Sequence, residues 1–116
     1  MEPKTAAILA MGIAVGLALE GKKPFVYSIT TFLLYRPFET IRTYISKENI
    51  KVMLIGSGRD FDYQHDGFSH HSHDAKPILD LWLNIKQYWP LTTEEIPVII
   101  KEMIENNGPS FISLRR

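Results

Sequence analysis

Cysteine is absent from the 116 residues. That excludes a disulfide framework and thiolate metal sites, and it fits a cytoplasmic protein. Excess charge of either sign is absent too: 13 basic residues stand against 13 acidic ones, mixed along the chain. No electrostatic footprint for a nucleic acid or an anionic membrane surface results. The chain also lacks an internal repeat, a low-complexity tract and an interdomain linker, and its length suits one domain with a real core. An apolar run long enough to span a bilayer is missing as well. Ala6 to Leu19, AAILAMGIAVGLAL, is uncharged but only 14 residues long, whereas a span needs roughly 20. Its length would suit the core of a secretory signal. Glu2, Lys4 as the only early cation and the lack of a long polar region afterwards favour a helix buried beneath a sheet instead. Gly12 and Gly16, four apart, share one face of that helix and permit close backbone approach.

What is present alternates in period. Pro24 to Thr30 (PFVYSIT) and Ile50 to Gly56 (IKVMLIG) are short, rich in β-branched and aromatic residues, and bounded by Gly, Lys and Asn, as buried strands are. Two further strands are expected at about Ile85 to Trp89 and Ser110 to Leu114. Between them, Leu34, Phe38, Ile41 and Ile45 form one helical stripe, and Ile96, Ile99, Ile100 and Met103 another. A short helix is expected over Ala75 to Leu83. Thr92 and Glu95 have capping-box spacing, and Asn107-Gly108-Pro109 provides a stop. Helices alternating with strands predict an α/β domain with a mainly parallel sheet flanked by helices.

Two segments depart from this regularity. In Thr31 to Phe38 (TFLLYRPF), Pro37 suits the first turn of a helix and leaves Phe32 to Tyr35 as a bridge from the preceding strand. Gly56 to Asp74 (GSGRDFDYQHDGFSHHSHD) holds all four histidines and has neither period. Both follow the carboxyl ends of expected parallel strands, where open α/β sheets bind their ligands, and a loop of that length in a small domain is usually functional or disordered.

Three readings of the histidine loop stand side by side. His70, His71 and His73 with Asp74 offer ligands for zinc or another transition metal. Asp66-Gly67 followed by histidine offers an acid/base pair whose imidazole titrates near neutrality. A solvated polar loop with turn-capping histidines is the plain alternative. The aromatics Phe32, Tyr35 and Phe38 likewise suit either the core or a slot for a flat ligand, where ring contacts add about 0.5–1.5 kcal/mol per pair beyond burial.

The run GIAVGLALEG followed by KKPFVYSITTFLLYRPFETIR resembles the pyrimidine-binding domain of transketolases and their relatives, the deoxyxylulose-phosphate synthases and the beta subunits of 2-oxo-acid dehydrogenases. HDGFSHHSHD resembles the family's Asp-Gly-Pro-Thr-His segment, and YWPLTTEEIPVIIKEMIENNGPSFISLRR its closing helix and strand. The pieces cover nearly the whole chain in the family's order.

That resemblance implies one pyrimidine-binding domain over residues 1–116, without the strand that usually opens it. It implies thiamine diphosphate as cofactor, with Phe32, Tyr35 and Phe38 against the aminopyrimidine ring. Asp66 and His70 would contact sugar hydroxyls and assist proton transfer. Phe68 stands where proline is usual and Ser69 where threonine is usual. The family's glutamate, which protonates the pyrimidine ring, would fall at Ala7; Glu2 lies five residues too early, more than one helical turn.

The magnesium- and diphosphate-binding domain would come from a partner, in an oligomer acting on a sugar phosphate or 2-oxo acid, with no nucleic acid or membrane involved. The expected function is a share in transfer or cleavage of a two-carbon unit. The alternatives are an inactive domain acting as a structural or regulatory partner, and a His-rich metal-binding module.

Overall fold

Register sets the frame of this molecule. The computed structural model describes residues 1–116 and contains strands β1 (Phe25–Ile29), β2 (Met53–Ser57), β3 (Lys86–Tyr88) and β4 (Ser110–Leu114). They form one sheet in the order β1-β2-β4-β3, and every pair is parallel. Phe25, Met53, Ser110 and Lys86 lie in one row across the sheet, so all four strands begin level. Their carboxyl ends therefore present one edge, from which the connections after β1 and β2 both leave. The expected α/β class and mainly parallel sheet are those observed.

The helices cover the faces unequally. On one face, α1 (Pro3–Leu19), α2 (Thr30–Tyr35), α3 (Phe38–Thr40) with its π-helical continuation Ile41–Lys47, and α4 (Ala75–Leu81) bury a core that includes Leu33, Leu34, Ile41, Ile45, Leu54, Leu79 and Phe111. On the other face, α5 (Ile96–Glu105) packs Ile99, Ile100 and Met103 over Met53, Ile55 and Ile112. Its start is fixed as expected: Thr92 and Glu95 form the capping box, and the Glu95 carboxylate accepts the backbone N–H of Thr92 at 2.7 Å and of Leu91 at 2.8 Å.

Three expectations change. First, α1 is not buried beneath the sheet. Only Met11, Ala14 and Val15 are buried, because the helix lies along the edge strand β1 and nothing covers its outer side. Leu9, Ile13 and Leu17, four apart, remain about half exposed. Gly12 and Gly16 face open space, so no backbone comes close to them within this chain.

Second, Phe32 to Tyr35 is no extended bridge. Helix α2 begins directly at Thr30, and Pro37, which has no N–H to contribute, stands before α3 while its carbonyl accepts Ile41 N–H at 3.1 Å. Third, the stripe Leu34, Phe38, Ile41 and Ile45 is split between two helices by this turn, so Leu34, Ile41 and Ile45 are fully buried and Phe38 points outward.

Candidate active site

The carboxyl edge of β1 and β2 is held together by threonine and serine hydroxyls. Thr30 Oγ1 donates to the Gly58 carbonyl at 2.7 Å, and Thr31 Oγ1 to the Ser69 carbonyl at 2.5 Å. Ser72 Oγ donates to the same Gly58 carbonyl at 3.3 Å, and Ser57 Oγ meets Tyr63 Oη at 2.7 Å. The start of α2 is thus bonded to both ends of the loop that follows β2. Glycine is required at two points of this junction. A Cβ on Gly56 would lie 2.6 Å from Thr30 Oγ1, and Gly58, at φ +90°, would bring one within 2.4 Å of the Tyr63 ring.

Arg59 completes the scaffold. Its guanidinium is buried and donates to Ser113 Oγ at 3.0 Å, to the Ser113 carbonyl at 2.8 Å and to the Pro90 carbonyl at 2.9 Å. Burial lowers its pKa, with Arg115 adding to the effect, yet a guanidinium stays charged at any ordinary pH. Beside it, Asp62 accepts Arg59 N–H at 2.9 Å, Arg116 N–H at 3.1 Å and the Arg115 guanidinium at 2.7 Å. Burial pulls its pKa up, but these donors together outweigh burial and leave it below the ordinary 3.8.

On this scaffold Phe32 and His70 meet. Their rings stand edge to face with centroids 4.8 Å apart, although the two residues are 38 positions apart in sequence. The Arg36 guanidinium lies 3.8 Å from the Phe32 ring centroid. Tyr63 stands 6.3 Å from His70, centroid to centroid. Ser69 Oγ contacts His70 Nδ1 at 3.0 Å, while Nε2 has no partner in the chain. Phe32 also lines a small apolar cavity of about 140 Å³ with Ala7, Met11, Val26, Leu33 and Pro37. Ala7, the position at which the resemblance places the family's glutamate, lines this cavity. Glu2 does not: α1 runs unbroken from Pro3, and Glu2 precedes it, fully exposed.

The other expected residues disperse. The Tyr35 hydroxyl donates a short hydrogen bond to Asp74 at the start of α4, and burial followed by this bond pushes the phenol's pKa well above its ordinary value. Phe38 packs on Trp82 with centroids 5.0 Å apart. The structure therefore does not bring Phe32, Tyr35 and Phe38 into one slot. Asp66 is exposed on the turn before Gly67, in the same loop as His70, and its carboxylate has no partner in the chain. His71 and His73 pack against Phe61 and Phe68; the Phe61–His73 pair is stacked at 4.8 Å. Nowhere do three His, Asp or Glu side chains come together as a metal site requires. Sequence reasoning passes over Thr30, Thr31, Arg36, Arg59, Tyr63 and Ser72. Only the Gly-Ser-Gly run at 56–58 signals the tight junction they build.

A family model described as transketolase, pyrimidine binding domain, matches residues 9–116. The chain belongs to that family. Among transketolase relatives, one subunit of the apulose-4-phosphate transketolase of Actinobacillus succinogenes is 31% identical over 90% of this chain and 33% of its own length. The 6-deoxy-6-sulfo-D-fructose transketolase subunit SqwH of Clostridium sp. (strain MSTE9) is 26% identical over 91% of this chain and 33% of its own. A solved structure described as "Split gene transketolase, inactive beta4 tetramer" superposes with a TM-score of 0.82 at 26% identity, over 95% of this chain and 35% of that one. This pyrimidine-binding domain thus spans about a third of each of these three chains.

Proposed function

We propose that this chain supplies the aminopyrimidine site of a split, thiamine-diphosphate-dependent transketolase-like enzyme, and that a partner subunit supplies the magnesium and diphosphate site. The observation that carries this reading is the edge-to-face contact of Phe32 with His70 beside the Ala7 cavity. It unites the ring expected to face the cofactor with the imidazole expected to face the substrate, at the carboxyl edge where such sheets bind ligands. The slot's mostly apolar walls, with Phe32 and Tyr27 as their aromatic members, suit a flat heteroaromatic ring, and Phe32, the one in contact with His70, is the residue that holds it. When bound, the cofactor supplies a nucleophilic carbanion for two-carbon transfer. His70, through Nε2, moves a proton at a substrate oxygen, and Asp66 accepts a substrate hydroxyl. Tyr35 and Phe38 take structural duties, one tying α2 to α4 and the other packing on Trp82.

The partner reading rests on uncovered apolar surface. Parallel sheets are normally protected on both faces, yet edge strand β1 leaves Phe25 and Tyr27 exposed on the face that carries α5, and α1 on the opposite face leaves Leu9, Ile13 and Leu17 about half exposed. Obligate interfaces bury about 2,000 Å² or more, and Tyr27 of this surface also lines the Ala7–Phe32 cavity. The setting we infer is cytoplasmic, and the substrate a keto-sugar phosphate or 2-oxo acid.

A second reading is favoured by one specific feature. Ala7 puts a methyl group where the acid belongs, and no carboxylate lines the cavity, as suits an inactive domain with a structural or regulatory role.

Turnover in the complex with the partner subunit separates the two readings. On the enzyme reading, His70→Ala lowers the two-carbon transfer rate by about 10²–10⁴-fold, the usual share of general acid–base catalysis, while cofactor affinity holds. His71→Ala and His73→Ala do much less. A complex with no transfer activity supports the inactive domain, and equal losses in all three variants would remove the special role of His70.

A further inference from the structure

A second concavity of the fold shares no lining residue with the Ala7–Phe32 cavity. It encloses about 490 Å³ between the π-helical segment Ile41–Lys47 and the connection from α4 to β3. That volume falls within the range of about 300–1,000 Å³ typical of small-molecule sites. The two walls are joined by a hydrogen bond from Asn84 Nδ2 to the Ser46 carbonyl at 2.7 Å. Phe38 and Trp82, already in ring contact, both line it. Leu81 and Leu83 flank Trp82 at 74% and 90% exposure, two large apolar side chains with no cover.

The opposite wall carries Arg42 and Lys47. On an α-helix, five residues at 3.6 per turn would set these side chains about 140° apart. In the π register, N–H groups bond back five residues, which brings positions 42 and 47 much nearer to one face, and both line the concavity. The local helix type thus aligns two cations along one pocket wall. Neither forms an ion pair: the chain's four salt bridges use Lys76, Lys86, Lys101 and Arg115. In a chain of zero net charge, two aligned, unpaired cations opposite apolar and aromatic side chains form a distinct chemical environment. Its complement is a molecule with a doubly charged anionic end and an apolar, flat body.

We propose that this concavity is a second ligand site, for a small phosphate ester of the nucleotide class. The phosphate end sits between the Arg42 guanidinium, which can grip two oxygens at once, and the Lys47 ammonium. The ring end lies against Phe38, Leu81 and Leu83, with the edge of Trp82 beside it. The π segment follows directly on α2 and α3, the helices that carry Phe32 and Phe38, so an occupant here sits on the same chain segment as the candidate active site.

The test is a fluorescence titration of the full chain carrying Trp89→Phe, which leaves Trp82 as the sole tryptophan, with ADP, inorganic pyrophosphate and adenosine as probes. The site predicts a saturable change with ADP and weaker binding of both pyrophosphate and adenosine. Arg42→Gln with Lys47→Gln should weaken ADP binding at least about tenfold, whereas the charge-preserving pair Arg42→Lys with Lys47→Arg retains most of it. Both positions are exposed, so circular dichroism should report an unchanged fold for each pair. No saturable ADP binding at millimolar concentration would overturn the site. So would a Gln pair that binds like the parent, and pyrophosphate binding as tightly as ADP would overturn the nucleotide class.

Discussion

At the scale of single residues, the carboxyl edge of the sheet depends on groups that are small or fully bonded. Asp62 illustrates the second kind. With its pKa held below 3.8 by two backbone N–H groups and Arg115, it contributes stability that is fully present above its unfolded-state value and is lost as pH falls through the folded-state value. Below about pH 4 the parent should therefore lose stability more steeply than Asp62→Asn. Urea midpoints measured from about pH 6 down to about pH 2.5 test this, and parallel curves for the two proteins would show that Asp62 carries no such linkage. Gly58 illustrates the first kind. Its need for glycine is legible only as a Gly-Ser-Gly run, because neither φ +90° nor the Tyr63 ring beneath it is encoded locally. Arg59 is illegible for the same reason: its partners Pro90 and Ser113 are 31 and 54 residues away.

At the scale of elements, what sequence periodicity reveals depends on whether each element is governed by its own pattern or by its neighbours. Strand β4 appears over the expected residues, and the start of α5 follows its capping box, since both signals are local. Helix α1 departs from expectation because an all-apolar helix signals burial on every side, and the sequence does not say that β1 is an edge strand. Pro37, expected in the first turn of a helix, stands just before α3 instead, and the conformation before it differs as well. Thr30 and Thr31, bonded across to Gly58 and Ser69, begin a helix where the end of a strand and a bridge were expected. The exposed stripe of α1 has a direct consequence. Leu9→Lys with Ile13→Lys should abolish association with a partner or a second copy while leaving the melting temperature within a few degrees, because neither side chain is buried in the core. Light scattering with thermal melts checks this; unchanged association in the double variant would place the interface elsewhere.

At the scale of the molecule, the site we propose is one part of a ligand site: a slot lined by Phe32 and Tyr27, an imidazole beside Phe32 and an open apolar flank. The sequence conveys the family and the sheet, because ordered motifs along nearly the whole chain record topology. It conveys the site less fully, because which aromatics converge depends on helix α2 and the turn at Pro37 that separates it from α3, neither of which has a periodic signature. If cofactor binding requires completion by a partner, calorimetric titration of thiamine diphosphate should reveal it. The chain alone, with or without magnesium, should bind weakly or not at all. The chain mixed with the magnesium- and diphosphate-binding subunit should bind in a magnesium-dependent way, and Phe32→Ala should weaken that binding. Tight, magnesium-dependent binding by the isolated chain would contradict the need for a partner.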